Sequence, residues 1–147
     1  TCNAQKSNRA DTDYRGIVDS YAFRESSCIF CEPDRDIVAE NELAIAFKDG
    51  YPVTPLHTLV IPKRHVADYF DLYQPELNAI NQLLQKLKSD IVNEDPTVTG
   101  FNVGSNAGES AGQTVFHCHV HLIPRRAGDV EDPRGGVRGV IAAEQKY

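Results

Sequence analysis

The feature that most constrains this chain of 147 residues is a run near its C-terminal end in which histidines alternate with apolar residues. Successive side chains of a strand point to opposite faces of a sheet, so the run predicts a strand, flanked by Val115 and Phe116 and stopped by Pro124. One face of that strand carries three imidazoles: His117, His119 and His121. The other face is apolar: Cys118, Val120 and Leu122. Three polar rings on a core strand require partners, because burying a polar ring without one is costly.

Three roles are compatible with such a histidine face. Two histidines at positions i and i+2 can chelate one metal ion. Alternatively, one histidine is a nucleophile and its neighbours handle protons and charge. The third role is a set of hydrogen-bonded core histidines without chemistry. The preceding segments, Gly104–Gly108 and Gly112–Thr114, combine glycines with neutral hydrogen-bond donors. Glycine lets backbone amides converge on an anion, so these segments favour a phosphate site.

Length and composition bound the architecture and the partners. A 147-residue chain with 41% hydrophobic residues suits one compact domain, predicted here over residues 14–147, after a flexible arm over residues 1–13. A C-terminal tail is expected from about residue 125. A net charge of −6 argues against broad binding to nucleic acid or to a membrane surface. No stretch approaches the roughly 20 apolar residues of a membrane span.

Cysteine usage predicts a reducing compartment, and we expect a cytoplasmic protein. Cys118 lies within the predicted strand and Cys2 lies in the predicted arm, which is unlike a secreted disulfide framework. The remaining pair, Cys28 and Cys31, is spaced as in many metal sites. By itself this spacing also suits two small core residues.

Periodicity predicts a mixed fold with four further strands and two helices. The strands are expected at Asp36–Ala39, Leu43–Phe47, His57–Ile61 and Gly100–Ser105. Pro75 can open a helix that runs to about Asn93. Its apolar stripe has helical spacing: Leu77, Ile80, Leu83, Leu84, Leu87 and Ile91. A shorter helix is predicted over residues 17 to 25.

Several segments of the chain resemble those of a known family. The segment Gly112–Pro124, in which histidine and an apolar residue alternate three times, looks like the signature of the histidine triad (HIT) family of nucleotide hydrolases and transferases. Further matches follow the same order along the chain: Cys28–Cys31, Phe47–Asp49 and His57–His65. Together they cover roughly residues 27 to 140. The resemblance implies an α+β fold, with an antiparallel sheet of about five strands and one long helix, which usually dimerises into a continuous two-subunit sheet.

The resemblance also implies roles for individual residues. His119 matches the nucleophile that attacks the α-phosphate, and His121 matches the histidine that contacts the phosphate. Gln113 and Thr114 match donors to phosphate oxygens, so the catalytic set is expected to comprise His119, His121, His117 and Gln113. Nucleotide binding is expected from five residues: Asp49 on the ribose hydroxyls, Asn106 and Thr114 near ribose and phosphate, and Phe30 and Phe47 as walls of the base pocket.

A metal site is implied elsewhere by the same resemblance. Cys28, Cys31, His65 and His117 match the Cys-Cys-His-His zinc site of some branches of the family. Four protein ligands leave no open position, so such a zinc ion is structural. The catalytic scheme itself requires no divalent ion, although substrates with long polyphosphates can arrive with Mg²⁺. His57 is expected to be a packed or hydrogen-bonded residue outside both sets.

The expected activity is therefore hydrolysis of a purine nucleotide through a nucleotidyl-histidine intermediate in a homodimer. A dinucleoside polyphosphate such as diadenosine tetraphosphate is the leading substrate. The alternatives are a nucleoside phosphoramidate, nucleotidyl transfer or phosphorolysis, and a regulatory module that binds nucleotide with little turnover.

Two features depart from the family pattern. Leu56 stands where the family usually has glycine, so the turn before His57 is expected to differ. The C-terminal segment resembles a prokaryotic branch and carries Arg125, Arg126, Arg134 and Arg138. These arginines are expected to be solvated charges, or to approach a long polyphosphate.

Overall fold

The computed structural model describes residues 20–32 and 35–147. Five strands form one antiparallel sheet: β1 (Ile37–Glu40), β2 (Ala44–Lys48), β3 (Thr58–Pro62), β4 (Val98–Gly104) and β5 (Val120–Arg126). Their order across the sheet is β1-β2-β3-β5-β4, so β1 and β4 are the edges. One long helix, α1 (Gln74–Glu94), connects β3 to β4. The predicted sheet and long helix are confirmed, and none of the described helices is long and apolar enough to cross a membrane.

Helix α1 covers one face of the sheet with most of the apolar stripe that its periodicity predicts; Leu77 instead lines a groove beside β4. The stripe packs on small and branched strand residues that include Ala46, Val60 and Val120, which the register of β2, β3 and β5 aligns in one row. At the helix start Pro75 lies in the first turn, and the Tyr73 amide donates to the carboxylate of Glu76 over 2.8 Å. Fully buried Glu76 also binds Arg64 through two hydrogen bonds, which fix the helix start against the segment after β3.

A second apolar cluster lies on the other face of the sheet. It comprises Phe30, Phe47, Leu59 and Ile61. Phe47 of β2 lies opposite Leu59 of β3, which lies opposite His121 of β5. Along each strand, successive residues therefore alternate between the helix-covered face and the histidine face, as expected because successive side chains of a strand point to opposite faces.

The histidine strand differs from its predicted extent at both ends. Strand β5 begins at Val120, so His117 and His119 precede it and Pro124 lies inside it. The ladder with β3 stops at Val60 and Val120, and further along β3 Pro62 has no amide hydrogen to donate. The Cys118 amide instead donates to the Val66 carbonyl over 2.7 Å.

Pro124 is tolerated inside β5 because of where its nitrogen points. Beyond Leu122 the strand pairs only with β4. The Arg126 amide, two residues further along and therefore on the same side, donates to the Asp129 side chain. The nitrogen of Pro124 thus faces a side of the strand that requires no ladder hydrogen bond.

Two other expectations are modified. Of the helix predicted over residues 17 to 25, only Ser20 and Tyr21 are helical and the chain leaves the helix at residue 22; residues 17 to 19, like the predicted arm, lie outside the described residues. Leu56 has a φ of +70°, a conformation that favours glycine, and it is the one non-glycine residue with positive φ in the described ranges. The turn before His57 therefore forms with leucine at a cost in backbone strain.

Candidate active site and metal cluster

The histidine face of the sheet carries a pocket of about 410 Å³. Its lining includes the five residues expected to bind nucleotide and two of the three alternating histidines: Phe30, Phe47, Asp49, Asn106, Thr114, His119 and His121. The apolar cluster supplies one part of this lining, and polar side chains supply the remainder. A pocket of this volume, apolar with a few convergent polar groups, is typical of small-molecule sites.

The His119 ring has a defined tautomer. Its Nδ1 atom lies 2.8 Å from the backbone oxygen of His117, and a carbonyl oxygen can only accept, so Nδ1 carries the proton. The Nε2 atom of a neutral ring then has a free lone pair. His119 is 9% exposed, and its ring packs against the edge of Phe30 with centroids 5.1 Å apart. These contacts fix the position and the neutral tautomer of a ring that lines the pocket.

A chain of hydrogen bonds fixes the tautomer of His121 as well. The Val53 amide donates to Nδ1 of His57 over 3.1 Å, so the proton of His57 lies on Nε2. That Nε2–H faces Nδ1 of His121 at 2.9 Å and one oxygen of Asp49 at 3.4 Å. His121 therefore accepts at Nδ1 and carries its own proton on Nε2. Burial lowers the pKa of both His57 and His121, which keeps both rings neutral near pH 7.

Two residues of the expected catalytic set do not line the pocket. Gln113 is buried, and its amide nitrogen donates to the carbonyls of Ala67 and Val115 while its oxygen accepts from the Gly108 amide. Its amide is thus used to hold the loop before the histidines. His117 has a fully buried ring that belongs to a separate cluster.

That cluster joins Cys28, Cys31, His65 and His117, whose potential ligand atoms all lie within 4.8 Å of one another. Nδ1 of His117 lies 3.5 Å from each of the two sulfur atoms, and Nδ1 of His65 lies 3.4 Å from the sulfur of Cys31. The four residues come from three separate segments of the chain. All four residues predicted from the sequence as metal ligands are therefore brought together.

Hydrogen bonds leave both histidines of this cluster able to bind a cation. The other nitrogen of His117, Nε2, donates to the Pro62 carbonyl over 2.8 Å, and Nε2 of His65 faces the carboxylate of Glu25 at 3.0 Å. Both Nδ1 lone pairs are consequently directed into the cluster. Burial lowers the pKa of His117 to about 4, which keeps this ring neutral, as a ligand must be.

The donor set fits a tetrahedral ion. With metal–sulfur and metal–nitrogen bonds of zinc length, a tetrahedral site separates sulfur from nitrogen by about 3.6 Å. The observed sulfur–nitrogen distances of 3.4 and 3.5 Å are close to that value. Two thiols and two neutral imidazoles suit a borderline-soft ion, which is the chemistry of structural zinc.

A second group, Asp49, His57 and His121, also brings potential ligand atoms within 4.8 Å. Here the tautomers oppose metal binding. Nε2 of His57 carries a proton because its Nδ1 already accepts from the Val53 amide, and that proton points at His121. This group is accordingly a hydrogen-bond network.

The C-terminal arginines are held by partners within the chain and do not line this pocket. Arg125 binds Asp129, Arg126 binds Asp95, and Arg134 faces Asp132. Arg138 donates to the Glu144 carbonyl and lies over the Tyr147 ring. Arg134 and Arg138 are exposed, as expected of solvated charges, whereas Arg125 and Arg126 are partly buried in their ion pairs.

His57 is buried and hydrogen-bonded, as expected, and it also lines the pocket and sets the tautomer of His121, a role that the sequence did not indicate. One pocket residue was not anticipated at all. Arg35 lines the pocket beside the two phenylalanines. Its sequence neighbourhood, Glu32 to Asp36, resembles an exposed charged turn and contains no signal that would place the guanidinium in a pocket.

Comparison with known proteins places this arrangement in a family context. The HIT domain profile matches residues 31–128. An uncharacterised HIT-like protein of Mycoplasma genitalium is 43% identical over 109 residues, which is 68% of this chain and 74% of that protein. A HIT family hydrolase from Clostridium thermocellum superposes with a TM-score of 0.63 at 31% identity, covering 74% of this chain and 98% of that one. A hypothetical histidine triad nucleotide-binding protein from Sulfolobus tokodaii has a TM-score of 0.64 at 36% identity, covering 71% and 73%.

Proposed function

The chain belongs to the HIT domain family, and on that premise we propose that it hydrolyses a purine nucleotide by nucleophilic attack of His119 on the α-phosphate. One observation carries the proposal: the hydrogen bond from Nδ1 of His119 to the His117 carbonyl selects, for the neutral ring, the tautomer with a lone pair on Nε2, and this ring lines the pocket. A neutral imidazole is a competent nucleophile near pH 7. Similarity to a HIT family hydrolase supports the reaction class.

The reaction then proceeds by two displacements at phosphorus. The Nε2 lone pair of His119 forms a phosphorus–nitrogen bond as the bond to the leaving group breaks. Water next attacks the same phosphorus and releases a proton to solvent, the phosphorus–nitrogen bond breaks, and the ring recovers its lone pair. Negative charge spreads over the non-bridging oxygens in both steps. Nε2–H of His121 and the side chains of Thr114 and Asn106 are proposed to donate to those oxygens.

The remaining pocket residues are proposed to hold the nucleoside. Phe30 and Phe47 wall the base, and Asp49 accepts from the ribose hydroxyls. The placement of all three in one pocket with His119 supports this assignment. Gln113 acts through the loop it holds, and His117 acts through its carbonyl and through the metal cluster.

A dinucleoside polyphosphate, such as diadenosine tetraphosphate, is the proposed substrate, accompanied by Mg²⁺ on its phosphates. A polyphosphate is already a good leaving group, whereas the amine of a nucleoside phosphoramidate requires protonation. The ring of His121, whose centroid lies 5.3 Å from that of His119, carries an Nε2–H that can donate a hydrogen bond to either leaving group. A phosphoramidate is therefore the second candidate.

The metal cluster is proposed to hold one structural zinc ion through Cys28, Cys31, His65 and His117. A zinc ion there would cross-link three segments of the chain, and its four protein ligands would leave no coordination position for substrate. The tautomers of His65 and His117 and the sulfur–nitrogen distances support this assignment.

A cytoplasmic homodimer is the proposed working form. Strand β4 pairs only with β5, so its other edge is unpaired within the described part of the chain. Beside it lies a mainly apolar groove between α1 and β4, bordered by Phe70, which is 82% exposed, and by Val103. Unpaired edges next to apolar surface favour pairing with a second copy. Sedimentation at several concentrations measures this association.

A substrate screen tests the proposed function. Purified protein is assayed against diadenosine tetraphosphate and an adenosine phosphoramidate, with and without inorganic phosphate, and the rapidly quenched enzyme is examined by mass spectrometry. We expect turnover and a nucleotide adduct on wild type. His119→Ala should abolish both while nucleotide affinity remains measurable. Near-native turnover of His119→Ala excludes the proposed nucleophile, and nucleotide binding without turnover on either substrate identifies a regulatory module.

A further inference from the structure

Arg35 brings a cation that has no carboxylate partner among the described residues to the apolar part of the pocket. Its guanidinium carbon lies 5.0 Å from the ring centroid of Phe30 and 4.8 Å from that of Phe47. Nε and Nη2 both donate to the Ile29 carbonyl, at 3.2 and 3.1 Å. This clamp fixes the guanidinium over the two rings.

The clamp leaves donors free. A guanidinium has five N–H groups, and the Ile29 carbonyl uses one on Nε and one on Nη2. The other three have no acceptor among the described residues, and no described carboxylate lies within 4.0 Å of Arg35. The pocket thus presents fixed donors and no acceptor at this position, next to the proposed walls of the base site.

We infer that Arg35 makes the site prefer 6-oxopurine nucleotides, guanine and hypoxanthine, over adenine, so that among dinucleoside polyphosphates the guanine counterpart is preferred to diadenosine tetraphosphate. This inference rests on the proposed function, because it assumes that the base lies beside Phe30 and Phe47. A 6-oxopurine offers O6 and N7, two adjacent acceptors that match the arginine fork. Adenine offers N7 beside the N6 amino group, which is a donor. The N6 amino group facing the arginine donors cannot form a hydrogen bond with them, so adenine gains one contact fewer and binds more weakly.

Charge and stacking alone do not produce this preference. A guanidinium stacks on any base, and a positive charge attracts every nucleotide phosphate. Only the hydrogen-bonding pattern at position 6 separates guanine and hypoxanthine from adenine. A variant that keeps the charge and removes the planar fork therefore distinguishes these contributions.

Binding of nucleoside monophosphates tests the inference on the folded full chain. Dissociation constants for GMP, IMP and AMP are measured by calorimetry on wild type, Arg35→Gln, Arg35→Lys and Lys86→Gln. Lys86 is an exposed cation on α1 outside the pocket, so its variant controls for net charge. IMP lacks the 2-amino group, so equal affinity for GMP and IMP assigns the effect to position 6.

We expect GMP and IMP to bind wild type about tenfold more tightly than AMP, within the range of one bidentate arginine contact. The ratio should fall to near one in Arg35→Gln, fall below about threefold in Arg35→Lys, and stay unchanged in Lys86→Gln. Equal affinity of wild type for GMP and AMP, or a preference that survives both Arg35 variants, overturns the inference and leaves the hydrolase proposal standing. Failure of all three nucleotides to bind folded wild type rejects the proposed function itself. If Arg35→Gln does not fold, Arg35→Lys decides.

Discussion

Nε2 of His57 lies 2.9 Å from Nδ1 of His121, and this contact decides which nitrogen of His121 carries a proton. Without the donor on His57, the ring of His121 can adopt either tautomer, and only one of them has a proton on Nε2. His57 thus keeps the proton of His121 on Nε2, where it can donate to a phosphate oxygen.

The first prediction tests this relationship with a matched pair of variants. His57→Gln keeps a side-chain N–H donor of similar reach, whereas His57→Leu removes it. We expect kcat to fall about a hundredfold in His57→Leu, with a smaller change in KM, because the lost contact orients a group used at the transition state. His57→Gln should retain a substantial part of kcat. Equal kcat values in the two variants would show that the donor has no orienting role.

The second prediction concerns acid. Burial lowers the folded-state pKa of His57 and His121 below their ordinary value of 6.5. Just below pH 6.5 these rings are therefore protonated to a greater extent in the unfolded protein than in the folded protein. Above about pH 6.5 the two neutral rings do not reduce the free energy of unfolding, and this free energy decreases as the pH falls through and below that value. Melting curves between pH 8 and pH 5.5 should therefore decline more steeply for wild type than for His57→Gln. The rest of the protein is the same in both, so the difference between the slopes reports on His57 and on the His121 ring that it contacts. A steeper decline in the variant contradicts the assignment.

The third prediction addresses the sugar. One oxygen of Asp49 accepts from the Tyr51 amide over 2.8 Å and the other lies near His57, so the carboxylate is held at the pocket wall. A carboxylate can accept from both ribose hydroxyls. Asp49→Ala should weaken binding of a ribonucleotide about tenfold, with a much smaller change for its dideoxy counterpart. Equal losses for the two ligands would remove Asp49 from the ribose site.

The fourth prediction concerns metal. We expect about one zinc ion per chain, retained through dialysis, and loss of both metal and stability in Cys28→Ser. A loss of about 3 kcal/mol corresponds to a decrease in Tm of roughly 10 °C. Cys118→Ala is the matched control, since it removes a thiol that is buried outside the cluster and should leave the metal content unchanged. Elemental analysis that finds no metal in protein prepared without chelator excludes the site.

The fifth prediction concerns the backbone at Leu56. Its positive φ strains any residue with a Cβ atom, and its side chain also packs against the helix-covered core. Leu56→Ala removes the packing and keeps the strain, whereas Leu56→Gly removes both. The glycine variant should consequently be more stable than the alanine variant by about 1 kcal/mol, despite the greater freedom of unfolded glycine. Denaturant unfolding compares the two, and a less stable glycine variant would argue against strain at this position.

Local pattern predicted the elements of the fold well, because alternation and helical spacing reflect burial directly. The helix expected at 75–93 spans Gln74–Glu94, and the strand expected at Leu43–Phe47 spans Ala44–Lys48. The start of the histidine strand was not predictable in this way. It depends on Pro62, a residue of the neighbouring strand that lacks an amide hydrogen, and local periodicity carries no information about such a partner.

Residue types indicated which side chains meet in the pocket and in the metal cluster, but not how they are connected. The tautomers of His119 and His121 depend on a carbonyl and on an amide from separate turns, His117 and Val53. Gln113 has a side-chain amide of the kind that donates to phosphate, but this amide donates to the backbone carbonyls of Ala67 and Val115 instead. Hydrogen-bond partners of this kind are set by tertiary contacts, which one sequence does not specify.

Side chains alternate between two faces along β5 and the residues just before it. This one stretch of chain therefore supplies both the pocket and the core beneath α1. His119 and His121 face the pocket, while Val120 and Leu122 pack beneath α1. Loss or gain of a single residue between Phe116 and Val120 would exchange these assignments, moving imidazoles under the helix and aliphatic side chains into the pocket. Substitutions can therefore alter catalysis and stability separately, but this segment cannot tolerate a change in its length.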